Sequence, residues 1–140
     1  MAGFLIQIDG SSLNNPGPAG IGVRITGADG NVVKEISHSI GIRTNNQAEY
    51  EALICALREA AALGDAPVAI HTDSELLYCQ MTGRYRVRHP RLKPLYQQAA
   101  ELLSRLPNVS LRHVPREENR ATDKLARLAS ARMAEDGKER

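Results

Sequence analysis

Two aspartates follow apolar strand patterns, where the carboxylate of a catalytic side chain could emerge. Asp9 comes directly after the alternating apolar positions of residues 4–8, and Asp73 follows the short apolar run 68–72. If the two strands are parallel neighbours, both carboxylates lie at one edge of the sheet. Two adjacent anions repel each other, and a bound divalent cation is the usual compensation. These residues therefore predict a metal site at this edge.

Two further acids occupy predicted helix faces that look toward the sheet. Glu49 lies one turn before Leu53 on the apolar stripe of a predicted helix, so its carboxylate points away from water. Asp123 lies in the first turns of the last predicted helix, at the flank of its apolar face. Each acid also has an ordinary structural explanation, such as a strand end or a favourable helix N-terminus. Their joint placement at one end of one sheet is what favours a site.

The chemistry of this acid set is that of a hard divalent metal ion. Carboxylate oxygens without a partnering His or Cys suit Mg²⁺ or Mn²⁺ rather than Zn²⁺. Four carboxylates can hold two such ions, and a pair of ions stabilises both the attacking and the leaving oxygen in phosphodiester hydrolysis. The acids therefore favour a metal-dependent phosphodiesterase.

Hydrophobic periodicity and turn residues predict the elements that must position these acids. Thr44 and Gln47 form a predicted capping box, and Gly64 ends the helix that follows. The predicted strands are residues 4–9, 21–25, 32–40, 68–72 and 109–113, and the predicted helices are residues 45–63, 73–81, 91–105 and 119–133.

The order βββαβααβα predicts an α/β fold with a five-stranded mixed sheet. Three antiparallel strands are extended by parallel strands, because strands joined through helices are usually parallel, and helices pack on both faces. Residues 1–133 are predicted to form a single domain, and the charged residues 134–140 a frayed tail.

Composition narrows the protein class without deciding its function. The 140 residues suit one core, which must be aliphatic because the chain has no Trp, one Phe and four Tyr. Cys55 and Cys79 lack metal-ligand spacing and are expected to be free thiols. With no signal peptide or membrane-spanning run evident, we expect a cytoplasmic monomer without an obligate protein partner.

Positive charge is concentrated in one segment although the net charge is only +2. Residues 76–100 contain no Asp or Glu. The five basic residues of this segment are Arg84, Arg86, Arg88, Arg91 and Lys93. The segment is either a solvated surface or a patch that contacts phosphates.

The chain resembles type 1 ribonuclease H, in the compact form that lacks a large basic protrusion. Four stretches carry the resemblance: residues 8–12 with 14–20, residues 44–49, residues 72–74 and residues 119–126. It implies a ribonuclease H-like fold and endonucleolytic cleavage of the RNA strand of RNA–DNA hybrids. It also implies that the family's catalytic, metal-binding acids are Asp9, Glu49, Asp73 and Asp123.

The resemblance further implies a set of residues that contact the hybrid. They are Gly10, Ser11, Asn15, Asn45, Asn46, Gln47 and Ser74. Amides both donate and accept hydrogen bonds, which suits a minor groove where 2′-hydroxyls distinguish RNA from DNA. Turn formation alone also explains Asn15, and helix capping alone explains Asn45 and Asn46.

Two departures from the family pattern bear on substrate binding. The segment that carries the protrusion in longer members is short here, so Arg84, Arg86 and Arg88 would replace it only in part, and binding would be weaker or more salt-sensitive. Residues 114–119 lack the loop His of many members. Arg116 is the expected substitute, although it cannot shuttle protons and is also explained as a solvated loop residue.

The mechanism that the resemblance implies uses two Mg²⁺ or Mn²⁺ ions. Asp9 would bridge both ions, Glu49 and Asp73 would share the first, and Asp123 would bind the second. Water would attack the phosphorus in line, giving a 5′-phosphate and a 3′-hydroxyl without a covalent protein intermediate. The alternatives are another nuclease of the same fold, a catalytically silent hybrid-binding module, and a structural domain with fortuitous motifs.

Overall fold

The computed structural model describes residues 2–138 and has the predicted order of elements. The strands are β1 (Phe4–Ser12), β2 (Gly17–Gly27), β3 (Val32–Arg43), β4 (Val68–Thr72) and β5 (Val109–His113). The helices are α1 (Asn45–Ala62), α2 (Glu75–Met81), α3 (Lys93–Ser104) and α4 (Arg120–Lys138), with a 3₁₀ helix at Arg116–Asn119.

The five strands form one mixed sheet in the order β3-β2-β1-β4-β5. Strand β1 pairs antiparallel with β2, and β2 pairs antiparallel with β3. Strand β4 runs parallel to both β1 and β5. The predicted mixed sheet is therefore confirmed, and β1 lies at its centre beside β4, as the site requires.

The two faces of β2 show why helices cover both sides of the sheet. Ile21, Val23 and Ile25 belong to an aliphatic core that includes Leu53 and Leu57 of α1. Residues in between face the other way, because side chains alternate along a strand. The face of the sheet that packs against α1 therefore carries branched aliphatic side chains, whereas the face that packs against α4 includes glycines.

Glycines on that second face let α4 approach closely. A Cβ atom on Gly22 would collide with the carbonyl oxygen of Thr122 and lie 2.8 Å from the backbone nitrogen of Ala126. The Ser37 hydroxyl of β3 also donates to the carbonyl of Leu125 at 2.6 Å. The first turns of α4, which carry Asp123, are thereby held against the sheet.

Some element boundaries differ from those predicted. Strand β1 continues three residues past Asp9, to Ser12, because its backbone remains paired with β2 after the apolar alternation ends. Helix α3 begins at Lys93 rather than residue 91, with Pro94 in its first turn, where proline is tolerated. Helix α4 continues to Lys138 instead of ending at Met133, so residues 134–138 of the predicted tail are helical. Residues 139 and 140 lie outside the described residues.

Membrane insertion through a helix finds no support in the described part of the chain. None of its helices combines the length and apolarity that crossing a bilayer demands.

We expect Gly22→Ala to destabilise the protein by about 2–3 kcal/mol, because the added methyl must displace the α4 backbone. Urea unfolding measures the change. Gly27→Ala on the same strand is the matched control, since its Cβ would meet the flexible Asp29 side chain at 3.1 Å. Equal losses for the two variants would contradict the close α4 contact.

Candidate active site

The parallel pairing of β1 and β4 brings two of the predicted acids to one edge of the sheet. The pairing ends at Gln7 opposite His71, two positions before Asp9 and Asp73. Asp9 is only 4% exposed and lies opposite Gly22 in the antiparallel register. The missing side chain at Gly22 leaves room beside Asp9 that α4 partly fills.

Glu49 reaches the same edge from α1. A Cβ atom on Gly10 would collide with the backbone nitrogen of Glu49, so this glycine lets the first turns of α1 sit on β1. The Gly10 amide donates to Asp9 Oδ1 at 3.0 Å and to Glu49 Oε1 at 3.1 Å. Oxygens of Asp9, Glu49 and Asp73 all lie within 4.8 Å of one another. The prediction that Glu49 points inward is confirmed.

Asp123 stands beside this group of three rather than within it. Its side chain is about one-third exposed and forms an ion pair with Arg127 at 3.0 Å. It still lies close enough to Asp9 to contribute to the raised pKa of that residue. The structure thus brings three predicted acids together and places the fourth next to the most central one.

The crowded acids are held without a basic partner. Burial, followed by the charge of Glu49, raises the pKa of Asp9. Burial also raises the pKa of Glu49, although the hydrogen bonds from Asp9 and the Gly10 amide oppose that shift. Within the described part of the chain, no Lys or Arg forms an ion pair with Asp9, Glu49 or Asp73.

A divalent cation fits this arrangement. The buried Glu49 Oε2 atom has no hydrogen-bond partner among the described residues. The donor set is carboxylate oxygen alone, which is the chemistry that Mg²⁺ and Mn²⁺ prefer. The residues that could hold such an ion are Asp9, Glu49 and Asp73, with Asp123 adjacent.

Asn119 is a site residue that the sequence interpretation missed. It is fully buried, and its Nδ2 donates to the Ile8 carbonyl at 2.8 Å and to Asp73 Oδ2 at 3.2 Å. The first bond satisfies the Ile8 carbonyl of β1, one residue beyond the last pair between β1 and β4. One amide therefore fixes the backbone before Asp9 and the carboxylate of Asp73. The only sequence signal was its position four residues before Asp123.

Most of the predicted substrate contacts line the cleft that holds the acids. This open cleft has a volume of about 760 Å³. Predicted contact residues among its lining are Gly10, Ser11, Asn45, Asn46, Ser74 and Arg116. Asn15 and Gln47 instead line an adjoining cavity of about 180 Å³, which Asn46 also borders. Arg84, Arg86 and Arg88 are exposed between α2 and α3 and line neither space.

The amide side chains have structural partners as well as free groups. Asn15 Oδ1 accepts from the Asn45 amide, and Asn45 Oδ1 accepts from the Ser12 amide, both at 2.8 Å. Gln47 Oε1 accepts from the Thr44 amide at 2.8 Å, which confirms the capping box. Their NH₂ groups have no partner among the described residues, so turn and cap formation leaves these donors available.

Arg116 and His113, which are close in the sequence, lie in different surroundings. Arg116 begins the 3₁₀ helix and lines the cleft. His113 remains on β5 and stacks on Tyr78 with ring centres 5.9 Å apart. His113 is not part of the cleft lining.

Known proteins are similar in sequence to this chain over most of its length. Residues 7–129 match the family model described as reverse transcriptase-like. Ribonuclease HI of Halobacterium salinarum is 43% identical over 121 residues, which cover 86% of this chain and 61% of that protein. The bifunctional protein Rv2228c of Mycobacterium tuberculosis is 44% identical over 123 residues, which cover 87% of this chain but only 34% of that protein. The chain thus spans about a third of the mycobacterial relative.

Solved structures share the fold as well as the sequence. LC11-RNase H1, isolated from compost by a metagenomic approach, has a TM-score of 0.87 and 44% identity, covering 94% of this chain and 98% of that one. The same enzyme in complex with an RNA/DNA hybrid has a TM-score of 0.85 and 43% identity, covering 92% and 97%.

We expect Asp9→Asn to stabilise the metal-free protein near neutral pH. The pKa of Asp9 is higher in the folded protein than its ordinary value of 3.8, so folding is most favourable when Asp9 is protonated. That stability is complete below about pH 3.8 and is lost as the pH rises toward and through the folded pKa. In EDTA the variant should gain roughly 1–2 kcal/mol at about pH 8 and nothing below about pH 4. Thermal unfolding across pH measures this. Exposed Asp65→Asn should show no gain, and a pH-independent gain for Asp9→Asn would contradict the electrostatic cause.

We expect Asn119→Ala to weaken both folding and metal binding. Loss of the donor to the buried Ile8 carbonyl should cost about 1–3 kcal/mol. Loss of the bond to Asp73 should reduce Mn²⁺ affinity by about tenfold. Urea unfolding and calorimetric Mn²⁺ titration measure the two effects. Asn108→Ala is matched, because Asn108 Nδ2 donates to the Ala66 carbonyl away from the acids. Equal Mn²⁺ affinities for the two variants would rule out positioning by Asn119.

Proposed function

Because this chain belongs to the ribonuclease H family, in the compact form of the type 1 enzymes, we propose that it hydrolyses the RNA strand of RNA–DNA hybrids. The observation that carries the proposal is the group of three acids that line an open cleft, two of them buried and one half-buried, without a basic partner among the described residues. Its relative LC11-RNase H1 has been solved with an RNA/DNA hybrid, which supports the same substrate class here.

The proposed metal ligands are the four acids. Asp9, Glu49 and Asp73 would hold one ion, and Asp123 together with Asp9 would hold a second. Bound Mg²⁺ or Mn²⁺ would supply the Lewis acidity that activates water and stabilises a leaving 3′-oxygen. The proposed products are a 5′-phosphate and a 3′-hydroxyl, and no side chain of the protein forms a bond to phosphorus.

The remaining cleft residues have binding and orienting roles in this proposal. Asn119 holds the Asp73 carboxylate, and the Gly10 amide holds the carboxylates of Asp9 and Glu49. The free NH₂ groups of Asn45 and Gln47 donate to 2′-hydroxyls or base edges in the minor groove. Arg116 contacts the scissile phosphate from the 3₁₀ helix, without transferring protons.

The segment between α2 and α3 gives the hybrid a second region of contact. Its residues His89 and Leu92 line the smaller cavity next to the acid cleft, and Asn46 borders both spaces. The segment therefore adjoins the surface on which the hybrid is proposed to bind. Its exposed arginines at positions 84, 86 and 88 carry positive charge that attracts phosphates. Binding that depends on such exposed charges weakens as salt rises.

The decisive experiment compares end-labelled substrates with and without Mg²⁺ or Mn²⁺. We expect metal-dependent internal cuts in the RNA strand of the RNA–DNA hybrid, and none in single-stranded RNA or duplex DNA. Duplex RNA is included to define the specificity. Asp9→Asn should abolish cleavage and retain the fold by circular dichroism.

Three outcomes would overturn the proposal. A folded wild-type protein that binds the hybrid but does not cut it with either metal would be a silent binding module. Cleavage of the DNA strand, or full activity in folded Asp9→Asn, would indicate a different nuclease or a different mechanism.

A further inference from the structure

One acid of the site has a positively charged partner and the others do not. Arg127 Nε lies 3.0 Å from Asp123 Oδ2 and donates to Asp123 Oδ1 at 3.1 Å. The two residues are one helical turn apart on α4, where side chains at i and i+4 are neighbours. Among the described residues, Asp123 is the one member of the four acids with a basic side chain at ion-pairing distance.

The ion pair lies at the mouth of the acid cleft. Asp123 and Arg127 both line the cleft with Asp9, Glu49 and Asp73. The Arg127 side chain is 68% exposed, and its one hydrogen-bond partner among the described residues is Asp123. The guanidinium can therefore leave the carboxylate without disturbing the packing of α4.

We propose that Arg127 is an internal counter-ion that competes with a divalent cation for the Asp123 carboxylate. This inference rests on the proposed function, in which the four acids bind Mg²⁺ or Mn²⁺. The guanidinium engages both oxygens of Asp123, so a cation that binds there must displace it or share an oxygen. The Asp123 position therefore fills at a higher metal concentration than its carboxylate alone would require.

The expected effect is modest because the pair is largely exposed. Exposed i, i+4 ion pairs contribute only fractions of a kcal/mol. Removing the competitor should therefore tighten divalent cation binding by about two- to fivefold. Substrate phosphates would act in the same direction, because an anion near the cleft attracts the freed guanidinium away from Asp123.

The test is calorimetric titration of Mn²⁺ into the intact protein at fixed ionic strength. Arg127→Gln should bind Mn²⁺ about two- to fivefold more tightly than the wild type. Arg116→Gln is the matched control, since Arg116 lines the same cleft but forms no ion pair with an acid in the part of the chain that the structure describes. The change in log Kd for Mn²⁺ caused by Arg116→Gln should be less than half of the change caused by Arg127→Gln.

A double-mutant comparison separates local competition from a general charge effect. In an Asp123→Asn background, Arg127→Gln should change Mn²⁺ affinity no more than Arg116→Gln does, because the shared carboxylate is gone and only the general effect of charge remains. Arg127→Lys, which keeps the charge but not the planar group, should fall between Arg127→Gln and the wild type. Circular dichroism confirms that each variant is folded.

Three results would overturn the inference. Equal tightening by Arg127→Gln and Arg116→Gln would assign the effect to overall charge, as would an undiminished effect of Arg127→Gln in the Asp123→Asn background. Unchanged affinity in folded Arg127→Gln would show that the pair does not compete with metal. These results leave the proposed function intact, whereas a wild type that binds no Mn²⁺ overturns both.

Discussion

Repulsion between crowded carboxylates is the constraint on which the arrangement of this protein depends. Asp9 of β1, Glu49 of α1 and Asp73, which directly follows β4, meet at one edge of the sheet, where Asp9 and Glu49 are buried and Asp73 is half-buried. Burial alone would favour the neutral forms of Asp9 and Glu49. The fold must therefore supply enough stability elsewhere to keep them together, and it does so with an aliphatic core under α1 and a helix packed directly on the opposite face.

Glycines around Asp9 turn this constraint into a defined geometry. Gly10 follows Asp9 in the chain and admits the backbone of α1, while Gly22 lies opposite Asp9 in the register and admits the backbone of α4. Both helices deliver an acid, Glu49 from one face and Asp123 from the other. Since each contact involves backbone atoms, neither helix can move closer, and the spacing of the acids is set by the sheet.

The sequence predicted the parts of this site that depend on local pattern. Alternation and helical spacing selected the four acids as candidates, three of which the structure groups together, and cap chemistry located Thr44 and Gln47. Long-range contacts were out of reach: the bonds from Asn119 to Ile8 and Asp73 join segments more than forty residues apart. The pairing of Asp123 with Arg127 was visible as i, i+4 spacing, but whether the arginine would face the cleft depended on how α4 packs on the sheet. Strand β1 extends beyond its apolar pattern because its pairing with β2 continues through Gly10, Ser11 and Ser12.

If the amide side chains contact the hybrid as proposed, their second use in turns and caps limits how freely the protein could change its substrate preference. The side-chain oxygen of each of Asn15, Asn45 and Gln47 accepts a hydrogen bond from a backbone amide, while the NH₂ group has no partner among the described residues. A substitution that alters recognition at these positions also loosens the turn or the helix start that carries them. Selection for a new nucleic-acid partner would therefore act more readily on the exposed segment between α2 and α3, where charge can change without loss of such bonds.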